Sequence, residues 1–115
     1  MEGVLAVDDH GLELAALLRE KLGLAGNLLQ AVRVTRDKLA FRHLLKTHGF
    51  NCPPFSVAVS DADALALAPA LPYPVVVKAR RLSASRGVVR ADDAATFVQR
   101  VAQVRRIQAS ADREA

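Results

Sequence analysis

The sequence has no tryptophan, one tyrosine, four phenylalanines and a single cysteine, Cys52. One cysteine excludes an internal disulfide and points to a reducing, cytoplasmic setting. So few aromatic rings argue against a platform that stacks single-stranded bases. Long apolar runs are missing too. The unbroken Val75, Val76, Val77 run is far short of the roughly 18 residues that a membrane-spanning helix needs. Met1, Glu2, Gly3 and Val4 do not show the basic region and apolar core of a secretory signal. Neither a P-loop nor a dinucleotide-binding glycine fingerprint is present. Gly23, Leu24, Ala25 and Gly26 lack the preceding strand and the third glycine.

What is present is ordinary globular composition, 51% hydrophobic and 24% charged, and not that of a collagen, a disulfide scaffold or a disordered chain. A chain of 115 residues supports one core that buries about two-thirds of the unfolded surface. It is too short for a cleft between two full domains. Sixteen basic residues against twelve acidic ones give a net charge of +4 and a pI near 9.8. That excess raises one alternative function, a small basic nucleic-acid-binding module. Arg80, Arg81, Arg86, Arg90, Arg100, Arg105 and Arg106 would carry it.

Residues 4–7 read as a buried strand that stops at Asp8, Asp9, His10 and Gly11. Leu14, Leu17, Leu18 and Leu22 recur at helical spacing, and Gly23 stands where a helix C-cap belongs. Asn27 is expected to cap a short helical piece through Arg33, and Thr35 to cap the next helix. Ala40, Phe41, Leu44, Leu45 and His48 form one face of that helix, and Gly49 ends it. Cys52, Pro53 and Pro54 force an extended connection.

Residues 55–59 read as a strand, and Ser60 and Asp61 open a short Ala/Leu helix that stops near Pro69. Val75, Val76, Val77 and Lys78 predict a strand apolar on both faces, hence a central one. Val88 to Arg90 resume a strand. Asp92 is expected to cap a last helix with Ala94, Phe97, Val98, Val101 and Val104 inward, followed by a frayed tail over residues 109–115. The alternation of strands and helices defines an α/β chain.

Residues 75–87 carry the most chemistry. Lys78 follows three valines, so its ammonium is expected at the edge of a desolvated strand, where a cation needs an anionic partner. Ser83, Ala84, Ser85, Arg86 and Gly87 then supply hydroxyls, a guanidinium, small side chains and accessible backbone N–H groups. All of these suit phosphate oxygens. A solvated hairpin with a snorkelling lysine is the simpler reading of the same residues. Lys38 stands in the first turn of its helix, where the macrodipole favours an anion rather than a cation. Such a lysine is tolerated if the helix start also holds an anionic ligand.

Four segments together resemble one family. They are Thr35, Arg36, Asp37, Lys38; then His48, Gly49, Phe50, Asn51, Cys52, Pro53, Pro54, Phe55; then Tyr73, Pro74, Val75, Val76, Val77, Lys78; then Ser83, Ala84, Ser85, Arg86, Gly87, Val88. In this order they resemble the first half of an ATP-grasp domain. That superfamily includes biotin carboxylase, carbamoyl-phosphate synthase and other carboxylate–amine ligases. The resemblance implies the end of a Rossmann-like pre-ATP-grasp domain over residues 1–26 and an N-terminal ATP-grasp subdomain, of α+β type, over residues 27–108.

By the same resemblance, Lys38 and Lys78 contact ATP phosphates, and Ser83, Ala84, Ser85, Arg86 and Gly87 form the flexible loop over them. Ala79 departs from the pattern, since many relatives have proline there. The family's adenine hinge, Mg²⁺ ligands and acyl-phosphate arginine belong to its second half. The chain is therefore expected to be a fragment with no catalytic residues and no metal ligands of its own, inactive in isolation. In an intact enzyme of this kind, ATP and Mg²⁺ serve the ADP-forming activation of a small-molecule carboxylate for attack by an amine or similar nucleophile.

Residues 4–10 are also similar to the opening of a response-regulator receiver. That reading needs a later strand ending in aspartate, and residues 50–55 contain no acid. Asp8, Asp9 and His10 are adjacent, which rarely lets three side chains converge on one ion. Cys52 lacks a positioned base, and His43 and His48 fall on a helix.

Overall fold

A computed structural model describes residues 1–114. The chain forms two compact units, Met1–Cys52 and Pro53–Ala115. The division falls between residues 52 and 53.

The first unit is helical: α1 (Leu12–Leu22), α2 (Leu29–Arg36) and α3 (Lys38–Thr47). Gly23 ends α1 in a left-handed conformation at φ 65°, and its N–H reaches back to Arg19 O and Glu20 O. This is the glycine cap that the sequence predicts. Leu28 rather than Asn27 is the N-cap of α2, and it makes no side-chain cap bond. Its first N–H instead donates to Glu20 Oε1 at 2.9 Å, which satisfies an amide that the helix itself leaves unpaired.

The cap of α3 is Asp37, whose Oδ1 accepts from Leu39 N at 3.1 Å and Ala40 N at 3.2 Å. Thr35 lies two residues earlier, inside α2, where its hydroxyl donates to Val32 O at 2.8 Å. Ala15, Ala16 and Val32 are buried, whereas Leu14, Leu17, Leu18 and Leu22 stay exposed. Residues 4–7 form no strand. Leu5 and Val7 are 89% and 100% exposed, because no partner strand among the described residues pairs with this segment.

The second unit comprises α4 (Asp61–Leu67), a 3-10 turn (Ala68–Ala70), β1 (Val75–Lys78), β2 (Val88–Ala91) and α5 (Ala94–Glu114). Ser60 and Asp63 form a reciprocal capping box at the start of α4. The two strands are antiparallel, with Val75 opposite Ala91, Val76 opposite Arg90, Val77 opposite Val89 and Lys78 opposite Val88. One face of this hairpin is covered by α5. Ala64, Ala68, Ala91, Phe97 and Val101 make the main core, with Val75, Val77 and Tyr73 packed on it. Tyr73 meets Phe97 edge-on at 6.4 Å between ring centroids, and its hydroxyl donates to Ala68 O at 2.7 Å.

Four expectations change here. β1 is not central: it pairs with β2 alone among the described residues, and Val76 on its outer face is 56% exposed. Residues 55–59 run without a ladder partner and form no strand. The cap of α5 is Asp93, whose Oδ1 accepts from Thr96 N at 2.7 Å. Asp92 instead pairs with Arg90 at 2.6 Å, and Ala94 is exposed. Helix α5 also continues through residues 109–114 instead of fraying. Ile107 and Ala111 pack on the cluster of Ala79, Leu82 and Val104, and Gln108 bonds Asp112 across one turn at 2.9 Å.

The caps make the second unit sensitive to acid. The backbone N–H of Val59 is the main cause that holds the Asp63 carboxyl below its ordinary value of 3.8, and the N–H of Thr96 does the same for Asp93. Both groups bind protons less readily when folded, so their stabilisation is present above that value and is lost as pH falls through the folded value. Circular-dichroism melts are expected to show a fall in melting temperature below about pH 4. Asp63→Asn with Asp93→Asn flattens that fall.

Candidate phosphate-binding hairpin

Strand alternation sends Val75 and Val77 toward α5 and leaves Val76 and Lys78 on the other side. Across the pair, Val88 and Arg90 are the exposed residues of β2. The open face therefore carries two valines and two cations. Arg90 is engaged by Asp92, whereas Lys78 makes no ion pair with a described residue. Lys78 is exposed, so the expected desolvated strand edge is not what positions it. Register and pleat do so instead: Lys78 is the last residue of β1, beside the loop.

That loop, residues 79–87, is anchored at both ends and in the middle. Ala79 N donates to Gly87 O at 2.7 Å, which extends the ladder by one pair. Proline in place of Ala79 has no N–H to give. Ala79 is itself buried, and Leu82 is tucked against it and Val104. Beyond Leu82 the chain makes a tight turn in which Arg86 N donates to Ser83 O at 3.1 Å. Ala84 and Ser85 occupy the two central positions at φ 54° and 60°. Turns of this hand favour glycine or asparagine, and each non-glycine residue costs roughly 1–2 kcal/mol there. Strain of this kind is characteristic of ligand clamps.

Gly87 follows at φ 62°, and an added Cβ there would stand 2.8 Å from Ala79 Cβ. It is buried at the base of the loop, so it is a packing glycine as well as a conformational one.

The structure gathers Lys78, Ser83, Ala84, Ser85 and Gly87 on one hairpin. Arg86 belongs to the same loop. It also lines an open surface depression with Arg106, Ile107 and Ser110 of α5. Lys38 is the first residue of α3, in the other unit, half-buried beside the Asp37 cap. Sequence reasoning did not single out Arg106 as a neighbour of Arg86, because no local signal links positions so far apart. The steric need for Gly87 was equally hidden, since it depends on the partner across the loop.

Among the described residues no group of three or more His, Cys, Asp or Glu side chains is placed to hold a metal ion. No described helix is long and apolar enough to cross a membrane.

No protein-family model matches the chain. Over 76 residues, 66% of its length, it is 34% identical to the carbamoyl phosphate synthase large chain of Thermotoga petrophila and 33% identical to that of Thermotoga maritima. The chain spans only 7% of those relatives. Among solved structures it is similar to an L-amino acid ligase from Bacillus licheniformis, with a TM-score of 0.75 and 30% identity over 90% of this chain and 24% of that one. A biotin carboxylase domain of the Hydrogenobacter thermophilus 2-oxoglutarate carboxylase, solved with MgADP and bicarbonate, shares the fold. Its TM-score is 0.69 at 23% identity, over 80% of this chain and 21% of that one.

Proposed function

This chain belongs to the ATP-grasp superfamily, and from that premise we propose that its hairpin holds the phosphates of ATP for an ADP-forming ligase. The observation that carries the reading is Lys78, a cation without an ion-pair partner among the described residues on an open strand face, beside a strained turn of small residues. Lys78 neutralises phosphate charge, and the N–H groups and hydroxyls of Ser83 and Ser85 donate to phosphate oxygens. Lys38 is the second phosphate-binding lysine of the reading. Bound ATP supplies the γ-phosphoryl group that activates a carboxylate as an acyl phosphate, which an amine or similar nucleophile then attacks. Mg²⁺ would accompany ATP in such a ligase, held by groups of the second half of the domain, and would supply charge neutralisation at the phosphates.

The 115-residue polypeptide is expected to bind ATP weakly and not to turn it over, because the ATP-grasp pattern it resembles places the adenine hinge and the acyl-phosphate arginine in the second half of the domain. An NMR titration with ATP should move the amides of residues 78 and 83–87, while a phosphate-release assay stays at background with any carboxylate tried. Robust release would overturn the division of labour proposed here. Three arginines of the alternative nucleic-acid face are already engaged. Arg90 pairs with Asp92, Arg105 with Asp61 at 2.6 Å, and Arg100 bonds Gln103. Tight DNA binding with a steep salt dependence would favour that alternative.

A further inference from the structure

The cavity on the helix side of the hairpin has a volume of about 320 Å³ and is lined by Arg86, Arg106, Ile107, Ser110, Ala111 and Glu114. That is the low end of the roughly 300–1,000 Å³ range of ligand sites, large enough for a small metabolite. Two exposed arginines line this open depression, and neither forms an ion pair with a described carboxylate. Ser110 Oγ accepts from Arg113 at 3.2 Å, which leaves its own hydroxyl hydrogen to donate. Arg86 reaches the cavity from the strained turn and Arg106 from α5, so the donors come from two separate elements. Ile107 and Ala111 give it an apolar floor.

We infer that this cavity is a binding site for a small phosphate-class oxyanion, distinct from the open face that carries Lys78. A guanidinium pair is suited to the task, since each presents a planar fork of donors matched to phosphate oxygens. Glu114 stands in the same cavity as an internal competitor that weakens anion binding without abolishing it. An occupant would join the turn to α5, because one of its two arginines belongs to each. The site does not depend on the assignment of Lys78.

The test titrates the 115-residue chain with inorganic phosphate at constant ionic strength, read by NMR of the arginine side-chain N–H groups. Saturable shifts of Arg86 and Arg106 are expected. Arg106→Gln should weaken binding about tenfold or more, the range of a lost charge-assisted contact. Glu114→Gln should strengthen it roughly two- to fivefold, as relief of an exposed charge interaction does. Lys21→Gln removes the same unit of charge from α1 and should change nothing. Tighter binding of glycerol phosphate than of inorganic phosphate identifies a phosphate monoester as the occupant, and equal binding identifies free phosphate. Non-saturable shifts, or equal affinity in Arg106→Gln and Lys21→Gln, would overturn the proposal.

Discussion

Lys78→Met is expected to lower ATP affinity about ten- to hundredfold, the loss that corresponds to a charge-assisted contact of about 1.5–3 kcal/mol. Methionine keeps most of the stem and removes only the ammonium. Lys78 is exposed and makes no ion pair with a described residue, so the substitution breaks no salt bridge and the melting temperature should hold. That separation is the strength of the experiment. Lys38→Met should act in the same direction, and Lys46→Met, further along α3, should leave affinity unchanged. NMR or calorimetric titration with ATP reads all three. If Lys78→Met and Lys46→Met bind ATP alike, the hairpin is not a phosphate site.

Gly87→Val should chiefly unfold the second unit instead of slowing a flap. The residue sits at φ 62°, and its new Cβ would meet Ala79 Cβ at 2.8 Å, with Leu82 Cδ1 at 3.5 Å and Val104 Cγ1 at 3.6 Å. The left-handed conformation costs roughly 1–2 kcal/mol for a side chain, and overpacking adds about 1–3 kcal/mol. Together these approach the whole stability of a small domain. A thermal melt should therefore lose most of the second unit's transition, with Gly87→Ala less severe because alanine adds no branched methyls. A variant that melts like the parent would show that the loop base yields, and Gly87 would then be free to act as a hinge.

The two experiments also show what each level of description supplied. Residue type and local spacing alone were enough for the helix α1 with its Gly23 cap, the start of α4 at Ser60, and a lysine at the end of a valine strand. Helical turns and capping boxes close over three or four residues, so their partners lie within the pattern that is read. The order of the four motifs likewise pointed to the ATP-grasp superfamily before any coordinates.

Strand pairing is different, because a strand needs a partner elsewhere in the chain. Residues 4–7 and 55–59 have the composition of strands and no ladder partner among the described residues, so they stay irregular. The same dependence decided which side of β1 is buried: α5 covers Val75 and Val77 and leaves Val76 and Lys78 open. Thr35 and Asp37 are both good caps by type. The continuation of α2 through Arg36 left the task to Asp37. Arg86 reads as one more donor on a phosphate loop, and the packing of Leu82 on Ala79 and Val104 sets that loop against α5, where Arg86 and Arg106 line one depression. The sequence by itself determined which groups are present and which helices form; only tertiary packing, acting through contacts distant in the chain, decided where the cations point.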